Sequence, residues 1–250
     1  MAEQVARERR LPPAYYAHAP GGRVRDWWAL LHPPYTLWHL AYVVIGASLA
    51  PREHLTNLLA AVAAFFLAVG VSAHALDELH SRPLRTELSD RTLIAAAAVA
   101  LAGATALGAA GVLRVGAVLV PFIVLGVLLV LAYNLELFGG AAHRDVVFAL
   151  GWGSFPVLVG CVAEGGTLEP AAVLAALAAA GLSYAQRALS TRARQVRREA
   201  VQVGGSVLMR DGSRAVVDES YLLAPVEMAL RMLSWTVVLL AAALAVDRMG

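Results

Sequence analysis

The stretch His74-Ala-Leu-Asp77-Glu78-Leu-His80-Ser81-Arg82-Pro83 carries the most chemistry per residue in this chain. His74, Asp77, Glu78 and Ser81 fall at i, i+3, i+4 and i+7, the spacing that puts side chains on one face of a helix. A carboxylate pair suits Mg²⁺, which takes oxygen ligands and leaves room for the oxygens of a phosphate-bearing substrate. With His74 added, the same set suits a transition metal. The plain alternative is a polar helix end at a membrane boundary, with Arg82 reaching towards water.

Two other clusters have a similar character. Tyr133-Asn134-Leu-Glu136 leads through Gly139-Gly140 to His143-Arg144-Asp145. Glu136 and His143 are candidates for a site shared with His74 and Glu78, while an interfacial tyrosine followed by a turn accounts for the segment equally well. Further on, Gln186-Arg187 and Ser190-Thr191-Arg192 precede Arg194, Arg197 and Arg198. Arginine grips phosphate through forked hydrogen bonds, and a basic cluster at a membrane face attracts anionic head groups. For the last three arginines, simple fixing of membrane orientation is the stronger explanation. Glu227 and Arg231 read as a helical i,i+4 ion pair.

The elements that must position these groups are apolar helices. The 250 residues are 59% hydrophobic and only 15% charged, where soluble domains run at about 25% charged. The excess lies in uncharged runs of Ala, Leu, Val and Gly, several long enough to cross the hydrocarbon core. Seven spans are expected, at residues 37–50, 55–76, 93–113, 115–133, 146–162, 171–188 and 222–246. The first is short unless Trp27, Trp28 and Tyr35 anchor it at the interface. The fifth contains Gly151, Gly153 and Pro156, which spans tolerate because neighbouring helices satisfy the freed backbone groups. The expected fold class is therefore all-α, a polytopic transmembrane bundle. It divides into an arm (1–34), a bundle of six spans (35–190), a basic loop (191–220) and a last span (221–250).

All 20 basic residues are arginine. With the N-terminus in the cytoplasm, the inner segments hold Arg7, Arg9, Arg10, Arg23, Arg25, Arg82, Arg85, Arg91, Arg144, Arg187, Arg192, Arg194, Arg197, Arg198, Arg210 and Arg214. The outer ones hold only Arg52, Arg114 and Arg248. This bias predicts an N-in, C-out topology, in the cytoplasmic membrane if the source is a prokaryote. The small residues of the spans predict close helix packing. Residues 201–218 read either as a hairpin turning at Asp211-Gly212 or as a surface amphipathic segment. A single cysteine, Cys161, excludes a disulfide within the chain and reads as a small apolar residue in a span. No nucleophile elbow, phosphate-binding loop, dinucleotide fingerprint or cysteine-based metal motif is present, and no nucleic-acid partner is expected.

Asp77-Glu78 followed by Arg82-Pro83-Leu84, Tyr133-Asn134 after the fourth span, and the entry from Arg25-Asp26-Trp27-Trp28 to Pro33-Pro34-Tyr35 together resemble the UbiA-type membrane prenyltransferase superfamily. The resemblance covers most of the chain through about residue 190. It implies a helical bundle that takes an isoprenyl diphosphate at the cytoplasmic face. Asp77, Glu78 and Tyr133 would be catalytic, and Asp77, Glu78 and His74 would hold Mg²⁺. Arg82, Asn134, Gln186, Arg187 and Arg192 would bind substrate. The pattern departs from the family in having His74 and Ser81 among the first-motif positions, and Gln186, Arg187 and the arginine cluster where a second Asp motif stands. Two other readings keep the fold. One is a transition-metal membrane enzyme built on His74, Glu78, Glu136 and His143; the other is a non-enzymatic lipid-binding or transport protein.

Overall fold

The apolar runs become helices because, with no water in the hydrocarbon, each backbone N–H and C=O must be satisfied within its own segment. A computed structural model describes residues 11–17, 22–52, 54–137 and 139–249. Within them lie α1 (Arg23–Leu30), α2 (Pro33–Ser48), α3 (Leu55–Ser81), α4 (Asp90–Val115), α5 (Ala117–Asn134), α6 (Asp145–Gly165) and α7 (Pro170–Arg198). A two-stranded hairpin follows, β1 (Ser206–Leu208) and β2 (Arg214–Val216), and then α8 (Glu219–Met249). Arg7, Arg9 and Arg10 of the expected arm lie outside the described residues.

The protein is an all-α integral membrane bundle. Among the described residues six helices, α3 to α8, are long and apolar enough to cross a bilayer. The first expected span, α2, has 16 residues and makes the seventh member of the bundle. It packs against α3, α6, α7 and α8, so its short length sits in protein rather than lipid. The helices outrun the apolar segments at the arginine-rich end. The α3 helix continues through Asp77 and Glu78 to Ser81, and α7 through the arginines to Arg198. Hydropathy ends where charge begins, but the backbone hydrogen bonds do not.

Local signals set the ends. Pro33-Pro34 and Pro170 stand in first turns, where a missing N–H costs nothing. Ser89 Oγ accepts from Thr92 N at 3.2 Å at the start of α4, and Asp218 accepts from Tyr221 N at 2.8 Å at the start of α8. Gly116, at φ 116°, permits the tight return between α4 and α5. The segment 201–218 is the hairpin, with Ser206 opposite Val216 and Leu208 opposite Arg214. Gly212 takes a positive φ in its turn.

Two spans are wound differently from an α-helix. Residues Phe66–Ala73 of α3 and Ala149–Ser154 of α6 form π-helical turns. The wider turn leaves backbone groups available to side chains, and His39 Nδ1–H donates to Trp152 O at 2.8 Å. On one side of the bundle Trp38, Tyr42, Ile45, Val157, Ala176, Ala179, Val237 and Ala241 form a core shared by α2, α6, α7 and α8. On the other side α3, α4, α5 and α6 stand apart around a cavity of about 360 Å³. Cys161 is buried, as expected of a small apolar residue.

Candidate functional site

The arginine-rich ends of α3, α5 and α7 face one another, and the side chains expected to do chemistry separate there into two groups. Glu78 belongs to the scaffold. It is fully buried, and its carboxylate accepts from Leu84 N at 2.9 Å, Thr86 N at 2.8 Å and Thr86 Oγ1 at 2.9 Å. It thereby folds the 82–88 loop back onto α3. Asp26, also buried, does the same from α1 by accepting from Glu87 N at 3.0 Å. Arg82, held at φ 51° after the last turn of α3, donates to Leu88 O at 2.6 Å and pairs with Asp90. The Arg82-Pro83 step is therefore occupied with closing this loop.

Asp77 has a different setting. It is partly buried, makes no side-chain hydrogen bond among the described residues, and lies in the electrostatic field of His74, Tyr133 and Arg198. Tyr133 is the centre of the site. Its ring stacks on His143 at 4.4 Å and touches Trp152 at 4.4 Å, and the Arg187 guanidinium lies 5.8 Å from its centroid. Its hydroxyl is buried without a hydrogen-bond partner among the described residues, facing Asp77, Arg187 and Arg194. A buried orphan hydroxyl costs about 1–3 kcal/mol, so it marks a place where a polar partner is expected.

Arg187 is held from behind by Asp145 at 2.9 Å and His143 Nε2 at 3.2 Å, which aims its guanidinium across Tyr133 and Phe148. Gln186 is buried beside Tyr35, with its Oε1 unpartnered among the described residues. Asn134 is buried and donates to Val130 O within its own helix. Arg192 is exposed and bonds Gln195 at 3.3 Å. Asp77, Tyr133 and Arg187 thus come together, Gln186 lies beside Tyr35, and Glu78, Arg82, Asn134 and Arg192 face other partners.

The expected metal ligands do not form a set. Both Glu78 oxygens are taken by the loop. His74 bonds Gly70 O at 3.2 Å and stacks on His32 at 4.3 Å. Glu136 lies 3.7 Å from His80 and 3.8 Å from His143, away from His74 and Glu78. Among the described residues no group of three or more His, Cys, Asp or Glu side chains is arranged to hold a metal ion. The residues present do not fit the Mg²⁺ site implied by the sequence pattern, or the four-residue transition-metal site.

Sequence spacing undervalued a second set. Arg187, Arg194 and Arg198 recur at seven and then four residues along α7, which keeps them on one side of it. Arg194 lines one recess with Tyr16, His32 and Tyr35, and its charge reaches Tyr133. Neither Arg194 nor Arg198 pairs with a carboxylate among the described residues. The buried small and polar positions Ser183, Gln186, Ser190 and Ala193 at three- and four-residue intervals are the signal that shows which face of α7 turns inward. Tyr35 turns inward too, rather than anchoring at the interface, whereas Trp28 is half exposed. Glu227 does not pair with Arg231. It takes both arms of Arg197, at 2.6 and 3.0 Å, because packing of α7 on α8 buries its carboxylate where a forked donor can satisfy both oxygens. Arg231 lies over the Tyr15 ring at 5.0 Å.

Below this polar chamber lies the cavity. Trp152 and Val130 line its near end, and Thr56, Asn57 and Arg114 its far end. Apart from Thr105 its walls are otherwise Ala, Gly, Leu, Val, Ile and Phe, and Trp152 connects it to Tyr133 through ring contact. Fold and site together define a polytopic membrane bundle with a basic chamber at one end and an apolar hollow beneath it.

No protein-family model and no curated protein matches the chain. Among solved structures it is similar to a UbiA homologue from Archaeoglobus fulgidus bound to Cd²⁺. The TM-score is 0.48 at 15% identity, over 90% of this chain and 85% of that one.

Proposed function

We propose that this protein is a UbiA-like membrane transferase that takes an isoprenyl diphosphate, holding the diphosphate in the basic chamber and the isoprenyl chain in the hollow. The observation that carries the reading is the meeting of Asp77, Tyr133, Arg187 and Arg194 from three helices above an apolar cavity of about 360 Å³. Ligand pockets commonly have volumes of about 300–1,000 Å³, mostly apolar with a few convergent polar groups. Arg187 and Arg194 supply the positive charge, and the Tyr133 hydroxyl and the Gln186 side chain supply polar contacts. When the allylic carbon–oxygen bond breaks, its electron pair leaves on the diphosphate, where fixed guanidinium groups stabilise the developing charge. The acceptor bonds to the allylic carbon, and its proton passes to Asp77.

The chamber lies on the cytoplasmic side in this reading, because it carries the arginines that the positive-inside rule keeps there. The N-terminus is inside and the C-terminus outside. The test is binding of farnesyl diphosphate to the purified chain in EDTA. Arg187→Ala and Arg194→Ala should each weaken binding by tenfold or more, about 1.4 kcal/mol. Unchanged affinity in both variants would end the proposal. The scattered metal ligands favour one other reading, a lipid-binding protein without turnover. Release of diphosphate from farnesyl diphosphate in the presence of candidate acceptors separates the two.

A further inference from the structure

Residues 11–17 run across the mouth of the basic chamber. Pro13, Ala14 and Ala17 are buried, and Ala14 and Ala17 pack on Ala29 of α1 and Leu84 of the loop that Glu78 holds. Pro13 O accepts from Arg198 Nε at 3.1 Å, and Pro12 O from Arg197 at 3.3 Å. The Tyr16 hydroxyl bonds His32 Nδ1, and the Tyr15, Tyr16 and Tyr35 rings meet edge to face at 5.2–6.4 Å. Beneath this strap remains a recess of about 30 Å³ lined by Ser190, Arg194 and Arg198. That volume holds about one water and no phosphate.

We propose that the strap is a built-in occupant of the anion site, displaced when a phosphate-bearing head group takes Arg194 and Arg198. This rests on the head-group reading given above and adds its regulation. The strap offers Arg198 a neutral carbonyl. A phosphate offers it an opposite charge and paired acceptor oxygens that match the guanidinium fork. Arg197 stays behind with Glu227, so the exchange costs no buried ion pair. Tyr16 leaves His32 in the same movement, which opens the chamber towards His74 and Asp77.

The experiment uses the full chain in phosphatidylcholine nanodiscs, titrated with inorganic diphosphate, with amide hydrogen exchange read over residues 11–17. Diphosphate is expected to speed exchange there. Deletion through Ala17 and, separately, Tyr16→Phe are expected to tighten diphosphate binding by roughly three- to tenfold, since the closed fraction no longer competes. Tyr16→Phe keeps the ring, so a deletion that fails to fold does not spare the proposal. A parallel arm adds phosphatidic acid to the nanodisc. Faster strap exchange there without soluble diphosphate assigns the site to lipid head groups, and faster exchange only with the soluble ion assigns it to free diphosphate; either supports displacement. If diphosphate binds, and Arg187→Ala weakens it, but the strap's exchange and both variants' affinities stay unchanged, the strap proposal fails and the head-group reading stands. If neither the wild type nor the variants bind diphosphate, both fail together.

Discussion

The two sides of the bundle use glycine for opposite purposes. On the dense side Gly46 of α2 and Gly160 of α6 let the helices touch through their backbones. An added Cβ at Gly46 would overlap the Val157 carbonyl, and one at Gly160 the Val43 carbonyl, neither of which can move aside. On the hollow side Gly108, Gly111, Gly126 and Gly151 line the cavity, and a Cβ there would meet only side-chain atoms of Ile123, Leu119, Phe155 and Leu129. One set of glycines brings helices together, the way small residues drive association in membranes. The other keeps a space open between helices already held elsewhere. Combining Gly46→Ala with Gly160→Ala should therefore cost about 3 kcal/mol or more, as backbone overpacking does, and deplete the folded monomer in detergent. Gly126→Ala and Gly151→Ala should leave the melting temperature unchanged or slightly raised, because alanine is the better helix former. Equal effects on both sides would erase the distinction.

The same contrast appears between neighbouring carboxylates. Glu78→Gln removes an acceptor from a buried set of three donors and should cost about 1–3 kcal/mol, read as a lower melting temperature with diphosphate affinity retained. Asp77→Asn touches no such network and should leave stability within about 0.5 kcal/mol. It should slow diphosphate release from farnesyl diphosphate by at least about a hundredfold, the range of a lost general base. If Glu78→Gln abolished turnover without loss of stability, the roles assigned to the two residues would be exchanged.

That pair also shows how far the sequence could be read. Asp77 and Glu78 share a helix, and their spacing was enough to mark the turn as important. Which of the two faces the chamber depends on the 82–88 loop folding back, a long-range event with no helical period. The spans were legible because hydropathy is a local sum over twenty or so residues, and the Gly- and Pro-containing fifth span formed by winding a π turn. The inward face of α7 was legible in principle from Ser183, Gln186, Ser190 and Ala193. Arg194, Arg197 and Arg198, just beyond them, read as orientation signals because charge alone gives no direction around the helix. The strap was not legible at all: Pro12, Pro13, Tyr15 and Tyr16 carry no pattern until Arg197 and Arg198 are placed above them.

The hollow can be filled without touching the dense side. Gly126→Leu adds a side chain towards the Phe155 ring and into the cavity. It is expected to lower affinity for farnesyl diphosphate by about tenfold, 1.4 kcal/mol, while affinity for inorganic diphosphate stays unchanged. A matching loss for both ligands would mean that the chamber, not the hollow, had been disturbed, and the separation of tail and head would fail.

The smallest expected effect is on pH dependence, and it tests the polar end alone. His32, at the entrance to α2 with φ 45°, is pushed well below its ordinary value, first by burial and then by His74, Arg198 and Arg194. Burial pushes the Tyr16 phenol well up, so the pair is a neutral phenol donating to a neutral imidazole. The unfolded chain takes up a proton on His32 near pH 6.5, while the folded chain resists it. Stability from this group is therefore fully present above pH 6.5 and is lost as pH falls below it. Between pH 6.5 and 5.5 the melting temperature should drop by about 2–4 °C, the equivalent of about 1 kcal/mol in a chain of this size. Asn tolerates the left-handed backbone and does not titrate, so His32→Asn should make that slope shallower. An unchanged slope in His32→Asn would place the acid sensitivity elsewhere in the chamber and remove His32 from the contact that the strap closes.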